Sequence, residues 1–474
     1  MIKNNIIKAL VSVLFVLFTV LPAGADDTKN TETQKKYTGK MPKNIIIMFT
    51  DGTGTALLET ARLYMQHVHE EKFFLTDTLL NKASMGLMST YSASSLVTDS
   101  AAAGTAMATG YKSYNGSINV NVQQEPVVSV AELVKEKGGK VAVVSNANIT
   151  DASPAAFGGA HNANRRNYAD IASQFLQGNI DIIMGGGRKY FRSERRKDKR
   201  DLVAEFTKAG YGFVEDSQQL AAVEGEKLLA LFAEKDMSFI TERHEEKEPS
   251  LVTMTKTTLK LLNKDNEKGF LAFIENEHTD SASHRSDMTN AIKHLIEFDQ
   301  ALQVAYRFYC DHADDTLLIV ASDHETGGVN ITVSTKDMTS NKSKNRIFPS
   351  SKHLKVIADI SISTRAAAKK LGKSPTDAQI DKLISTQYQG FVLDQDLRDK
   401  LKNNEFVSRT NFYGRTESVL GEMIGRNTGF FFSATHHTNE PVIVAAIGPG
   451  AVLFNGYFDN TDFGKRLIGL IEKK

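Results

Sequence analysis

The chain has 474 residues, with 57 Lys and Arg against 56 Asp and Glu, so its formal net charge of +1 offers no excess of basic charge to hold nucleic acid. Hydrophobic residues at 41% and charged residues at 24% exclude a disordered or collagen-like chain and allow a large packed core. One cysteine, Cys310, excludes an internal disulfide framework and any multi-cysteine zinc site, so a metal would have to be held by His, Asp or Glu.

Residues 1–25 place Lys3 and Lys8 ahead of an apolar run over 9–21 and end in Ala23-Gly24-Ala25, the pattern of a signal peptide cleaved after Ala25. The run is short against the roughly 20 residues that span hydrocarbon, which disfavours a membrane anchor. Cleavage would remove two lysines and no acid, giving an exported chain with a net charge of −1, periplasmic or secreted and free of the membrane. Residues 26–41 then form a polar tether, and 42–474 a single large domain.

Short apolar, β-branched runs at 45–49, 141–145, 180–184, 270–274, 316–321 and 442–447 are expected to be buried strands. Helical patterns at 128–137, 250–262 and 288–309 lie between them. This alternation predicts an α/β fold: a mostly parallel central sheet flanked by helices on both faces. Two stretches interrupt it. Residues 188–249 open with RKYFRSERRKDKR, but acidic residues soon follow, so they are expected to form a solvated helical surface insertion. Residues 334–429, Lys- and Ser-rich at the start, form the second expected surface insertion. Gly185-Gly186-Gly187 lacks the Lys and Ser/Thr of a nucleotide P-loop and is taken as a tight turn.

The chemistry-bearing residues follow the strands. NIIIMF runs into Asp51, FLAFI into Glu275 and TLLIVAS into Asp323-His324. In an open α/β sheet the carboxyl ends of strands are where ligands bind. ENEHTDSASH adds Asp280 and His284, and a histidine at 436 or 437 precedes the last run. Such a set contains more carboxylate and imidazole than one metal needs; the donor types suit zinc, or magnesium where oxygens dominate. In LVTDSAAAGTAMATG, Ser100 stands before a run of small residues that would let helix-start N–H groups approach an anion. The same motif fits a plain Ser N-cap on an Ala-rich helix equally well. A surplus of metal ligands favours a nucleophile, because a hydroxyl facing a metal loses its proton readily. A Ser-His-Asp acyl hydrolase is the rival, and no GxSxG elbow supports it. Glu277, His278, His294 and His312 are expected at the surface, and Cys310 to be a partly buried, inert thiol.

From residue 42 to the last strand the chain resembles the alkaline phosphatase family, and VTDSAAAGTAMATG is similar to that family's nucleophile signature. The resemblance implies hydrolysis of small phosphate monoesters through a phosphoserine on Ser100, assisted by two zinc ions and one magnesium. It implies Asp280, His284 and His437 as ligands of the first zinc, and Asp51, Asp323 and His324 as ligands of the second. Asp51 would be shared with magnesium, which Ser153 and Glu275 would also bind. Arg165, four residues after a His in DASPAAFGGAHNANR, would clamp the phosphate. Asp151 stands where some members carry His, and favours a magnesium environment from behind the ligands. Ser281, where others carry Lys or His, removes a cation near phosphate and would loosen the product. The family also suggests a homodimer. A phosphodiesterase of the same superfamily and a non-catalytic metal- or phosphate-binding protein are the alternatives.

Overall fold

The computed structural model describes residues 39–336, 342 and 345–473. The expected signal peptide and all but the end of the tether lie outside the described residues.

The strands, numbered along the chain, begin with β1 (Asn44–Thr50), β2 (Ser84–Ser89), β3 (Lys140–Asn148), β4 (Ile182–Gly186), β5 (Gly212–Val214), β6 (Leu228–Leu231), β7 (Phe270–Asn276) and β8 (Thr316–Ala321). Short strands follow, β9 (Glu325–Thr326), β10 (Val329–Ile331), β11 (Ser334–Thr335), β12 (Arg346–Ile347), β13 (Phe430–Phe432) and β14 (His437–Thr438), and then β15 (Val442–Ile447) and β16 (Gly456–Asp459). Among the described residues ten strands form one sheet in the order β16-β2-β15-β8-β1-β7-β3-β4-β6-β5. All neighbours are parallel except β15, which runs antiparallel to both β8 and β2. The central strand β1 is buried along its whole length, which explains its unbroken apolar run: both faces are covered.

Alternating side chains of β1 serve the two layers. Ile46 and Met48 join a core with Leu295, Phe298 and Leu302 of the 24-residue helix Met288–Asp311. Phe49 points the other way, to a trio with Phe157 and Phe273 whose ring centroids lie 4.4 to 6.0 Å apart. On that second face the helix Ser100–Thr109 is buried at every position. Its small residues exist for helix packing: a Cβ on Gly104 would lie 3.3 Å from that of Ala156, and one on Gly464 would lie 2.7 Å from the Ala106 carbonyl oxygen.

The parallel register aligns the strand ends. Thr50 pairs with Asn276, Phe49 with Ala321, and Ser145 with Glu275, so the residues following β1, β3, β7 and β8 emerge along one edge. Because β15 is reversed, its amino end lies on that same edge, and His437 just before it arrives beside the others.

Residues 188–249 are not confined to the surface as expected. They supply β5 and β6, which extend the main sheet. The buried LLAL of β6 is only four residues long and β5 three, too short for a hydrophobic period to stand out against the charge around them. Those charges pair locally: Arg188 and Arg192 share Glu215, Arg196 meets Asp198, and Arg200 meets Glu205. Among the described residues, 334–429 carry five α-helices, from Ser351–Ala358 to Arg415–Thr428. His278 and His294, expected outside, are buried, whereas Cys310 is exposed. Among the described residues no helix is long and apolar enough to cross a membrane.

Candidate active site

The strand-end edge opens into a cavity of about 460 Å³ whose wall includes Asp51, Ser100, Asp151, Ser153, Arg165, Glu275, Asp280, His284 and His437. Asp323 and His324 lie fully buried behind it. Every site residue singled out in the sequence therefore reaches one place.

The donor atoms of Asp51, Asp323 and His324 lie within 4.8 Å of one another, and so do those of Asp280, His324 and His437. His284 belongs with the latter group, its Nε2 being 3.1 Å from Asp280 Oδ2 and 3.1 Å from His437 Nε2. Hydrogen bonds behind the rings set which nitrogen faces inward. His284 Nδ1 donates to the Thr435 carbonyl at 2.8 Å and His437 Nδ1 to the Thr98 carbonyl at 2.8 Å. His324 Nδ1 meets the Thr326 hydroxyl at 3.3 Å, and that hydroxyl donates its own proton to Asp280. All three Nδ1 atoms thus carry the proton, and all three Nε2 lone pairs converge on the cavity, the arrangement of metal-ligating histidine.

Charge agrees. Burial, then the carboxylates of Asp323, Asp280 and Glu275, push the Asp51 carboxyl well above its usual range. Burial and then Glu277, Asp151 and Asp323 do the same to Glu275, against the Ser145 hydroxyl that donates to it at 2.5 Å. Burial also opposes ionisation of Asp280, yet His284 and His437 beside it hold its carboxyl far below the ordinary value. Burial, then His324, drives His437 well below the usual imidazole range. Carboxylates crowded this closely need cations. Asp51 Oδ1, Asp323 Oδ2 and Ser153 Oγ are buried without a hydrogen-bond partner, as ligands awaiting a metal would be. The residues present fit metal ions.

Ser100 opens its helix behind the N-cap Asp99, so its hydroxyl stands where the helix dipole favours negative charge. Its Oγ lies 3.2 Å from His324 Nε2. Asp323 Oδ2 approaches that same nitrogen, at 3.1 Å. In a Ser-His-Asp relay the acid would hold the opposite nitrogen, here committed to Thr326, so the geometry opposes the acyl-hydrolase rival.

Arg165 is held in a fork: Nη1 donates to Asp99 Oδ2 at 3.0 Å and Nη2 to Asp151 Oδ1 at 2.9 Å. Asp151 also caps the helix Ala152–Phe157, which carries Ser153. Asp99 was not singled out in the sequence, although an N-cap Asp directly before Ser100 is a readable signal. Thr326 and Thr435 were also missed, since nothing in a lone threonine's context announces that it orients a ring from another segment. Glu277, expected at the surface, lines the cavity and accepts from Ser281 Oγ at 2.7 Å. Arg166 lines the mouth too, exposed, beside Arg165.

The fold and this donor cluster define an α/β protein with a candidate metal-binding site at the strand ends. The family model for alkaline phosphatase matches residues 42–472. Alkaline phosphatase 4 of Bacillus subtilis is 31% identical over 461 residues, covering 95% of this chain and 94% of that protein, and alkaline phosphatase 3 of the same organism is 30% identical over 465 residues. Among solved structures, the Thermus thermophilus alkaline phosphatase superposes with a TM-score of 0.83 at 27% identity, covering 95% of each chain. A cold-active alkaline phosphatase from Shewanella gives 0.74 at 31% identity, covering 90% of this chain and 99% of that one. The chain belongs to the alkaline phosphatase family.

Proposed function

We propose that this chain hydrolyses phosphate monoesters to alcohol and inorganic phosphate through a phosphoserine on Ser100, with two zinc ions and one magnesium as cofactors. The observation that carries this reading is the position of the Ser100 hydroxyl, at a helix start, 3.2 Å from His324 Nε2 and in the wall of the cavity that Arg165 also lines. Asp280, His284 and His437 would hold one zinc, and Asp51, Asp323 and His324 the other, by the mixed nitrogen and oxygen donors zinc accepts. The oxygen-only set of Asp51, Ser153 and Glu275 suits magnesium. When bound, the metals supply Lewis-acid stabilisation of the attacking and departing oxygens, which a single acid or base worth about 10²- to 10⁴-fold could not match.

The protein's own groups do the rest. Ser100 Oγ attacks phosphorus from the cavity wall. Arg165, with Asp99 and Asp151 holding two of its N–H groups, keeps others for the non-bridging oxygens of the phosphoryl group. The helix start at Ser100 favours the same negative charge. The signal-like amino terminus supports export to the periplasm or medium, and the near-neutral net charge gives no excess of basic charge for nucleic acid. A homodimer is part of the proposal by family likeness. The deciding experiment is turnover of a chromogenic monoester and its diester with and without zinc and magnesium, followed by acid trapping of labelled phosphate. Ser100→Ala should abolish the trapped phosphate and lower turnover by several orders of magnitude; label on any other residue would sink the assignment.

A further inference from the structure

The cavity mouth carries aromatic rings that the phosphoryl chemistry does not use. Tyr413 and His436 line the cavity together with Ser100 and His284. Phe412 stacks on both, its ring centroid 4.7 Å from that of Tyr413 at 24° and 5.2 Å from that of His436 at 19°. Tyr413 also meets the edge of His284 at 5.0 Å. Phe412 is 57% exposed and Tyr413 42% exposed, so flat apolar faces stand in water beside a polar cavity.

The stack is anchored to the machinery of the site. Both Phe412 N and Tyr413 N donate to the Thr435 hydroxyl, at 2.9 and 3.2 Å, and the carbonyl of that threonine is the group that orients His284. The turn before it is braced by Asn411 Oδ1, which accepts from Ser408 N at 3.0 Å and Ser408 Oγ at 2.8 Å. These rings are therefore set in place before any ligand arrives, which lowers the ordering cost of stacking on them.

We propose that Phe412, Tyr413 and His436 form the subsite for the alcohol part of the substrate, and that the preferred monoesters carry a planar aromatic group close to the ester oxygen. The inference rests on the phosphomonoesterase reading above and adds the substrate class. Ser100 lines the cavity and is 5% exposed, against 42% for Tyr413 in the same wall. In-line attack from there sends the departing alcohol towards the mouth, where the rings stand. A planar group has a face to offer them; a short alkyl group does not.

The test compares benzyl phosphate with ethyl phosphate, whose departing alkoxides differ little in basicity, on the metal-loaded wild type, Phe412→Ala and Tyr413→Phe. Phe412→Ala removes the outer ring without touching His284, and Tyr413→Phe keeps the ring. Wild-type kcat/KM should favour the benzyl ester by about tenfold, a preference that Phe412→Ala loses and Tyr413→Phe retains. Calorimetric Kd values for benzylphosphonate and ethylphosphonate, which cannot be hydrolysed, should show the same ratio. No benzyl preference in the wild type, or a Phe412→Ala variant that lowers both esters equally, overturns the proposal. If neither ester turns over while benzylphosphonate still binds about tenfold tighter, the hydrolytic reading falls and the aromatic subsite stands.

Discussion

Replacing Arg165 with alanine tests the phosphate-binding geometry most directly. Two of the five guanidinium N–H groups are taken by Asp99 and Asp151, at 3.0 and 2.9 Å, which leaves enough donors for a bidentate grip on two phosphoryl oxygens. Each charge-assisted bond contributes about 1.5 to 3 kcal/mol, so losing two costs about 3 to 6 kcal/mol and should lower monoester kcat/KM by roughly 10²- to 10⁴-fold. The metals and Ser100 remain, so activity should fall without vanishing. Removing the guanidinium also strips Asp99 and Asp151 of their shared cation and leaves two carboxylates facing an anionic substrate, which places the loss towards the upper end. Adding Asp151→Asn to Arg165→Ala should therefore recover part of it. A diester presents one fewer charged oxygen and should lose less, so the preference for monoesters shrinks. The assay is steady-state kinetics on a nitrophenyl monoester and the matching diester for Arg165→Ala, Arg166→Ala and the double variant. A loss under tenfold for Arg165→Ala, or a selective monoester defect in Arg166→Ala instead, would refute the assignment.

His437→Ala should empty one zinc position in elemental analysis while His436→Ala leaves zinc content unchanged, because His437 Nε2 joins the donor cluster and the His436 ring stacks on Phe412. The purified protein should carry about two zinc ions and one magnesium per chain. Gly52 has φ +69° and a Cβ there would stand 2.8 Å from the Asp280 Cα, so Gly52→Ala should displace Asp280 and weaken zinc retention in a chelator competition at constant pH. Far from the site, Asp299 accepts from Phe74 N at 3.0 Å and Leu75 N at 2.6 Å, and burial pushes its carboxyl up to about 6. Because this folded value lies above the unfolded one, the fold takes up a proton between about pH 4 and 6 and loses stability as pH rises through that window. Urea unfolding of wild type against Asp299→Asn should show the wild-type advantage shrinking by up to about 3 kcal/mol from pH 4 to 7, and an advantage that grows with pH would contradict it.

The local chemistry of this protein was legible in its sequence. The interior strands announce themselves because both faces are buried, so NIIIMF, FLAFI and TLLIVA are continuous apolar runs ending at their acids and histidines. The acids and histidines that follow these strands could be picked out as candidates from their position, and the motif around Ser100 by its resemblance to a family signature, whereas the role expected of each came from that resemblance and not from its local context. What lay beyond the sequence depends on contacts between distant segments. The short strands β5 and β6 became part of the sheet only by pairing with β4, and their charged surroundings concealed them. His278 and His294 are buried because Phe239 and Met237 close over them, a fact with no trace in either residue's neighbourhood. The tautomers of His284, His324 and His437 are set by Thr435, Thr326 and Thr98, and the placement of Phe412 and Tyr413 by Thr435, residues that are ordinary in sequence. Residue type and local periodicity decide which groups are available at the strand ends; the reversal of β15 and the backbone carbonyls and hydroxyls behind the rings decide where those groups point, because orientation is fixed by partners that the chain brings together only on folding.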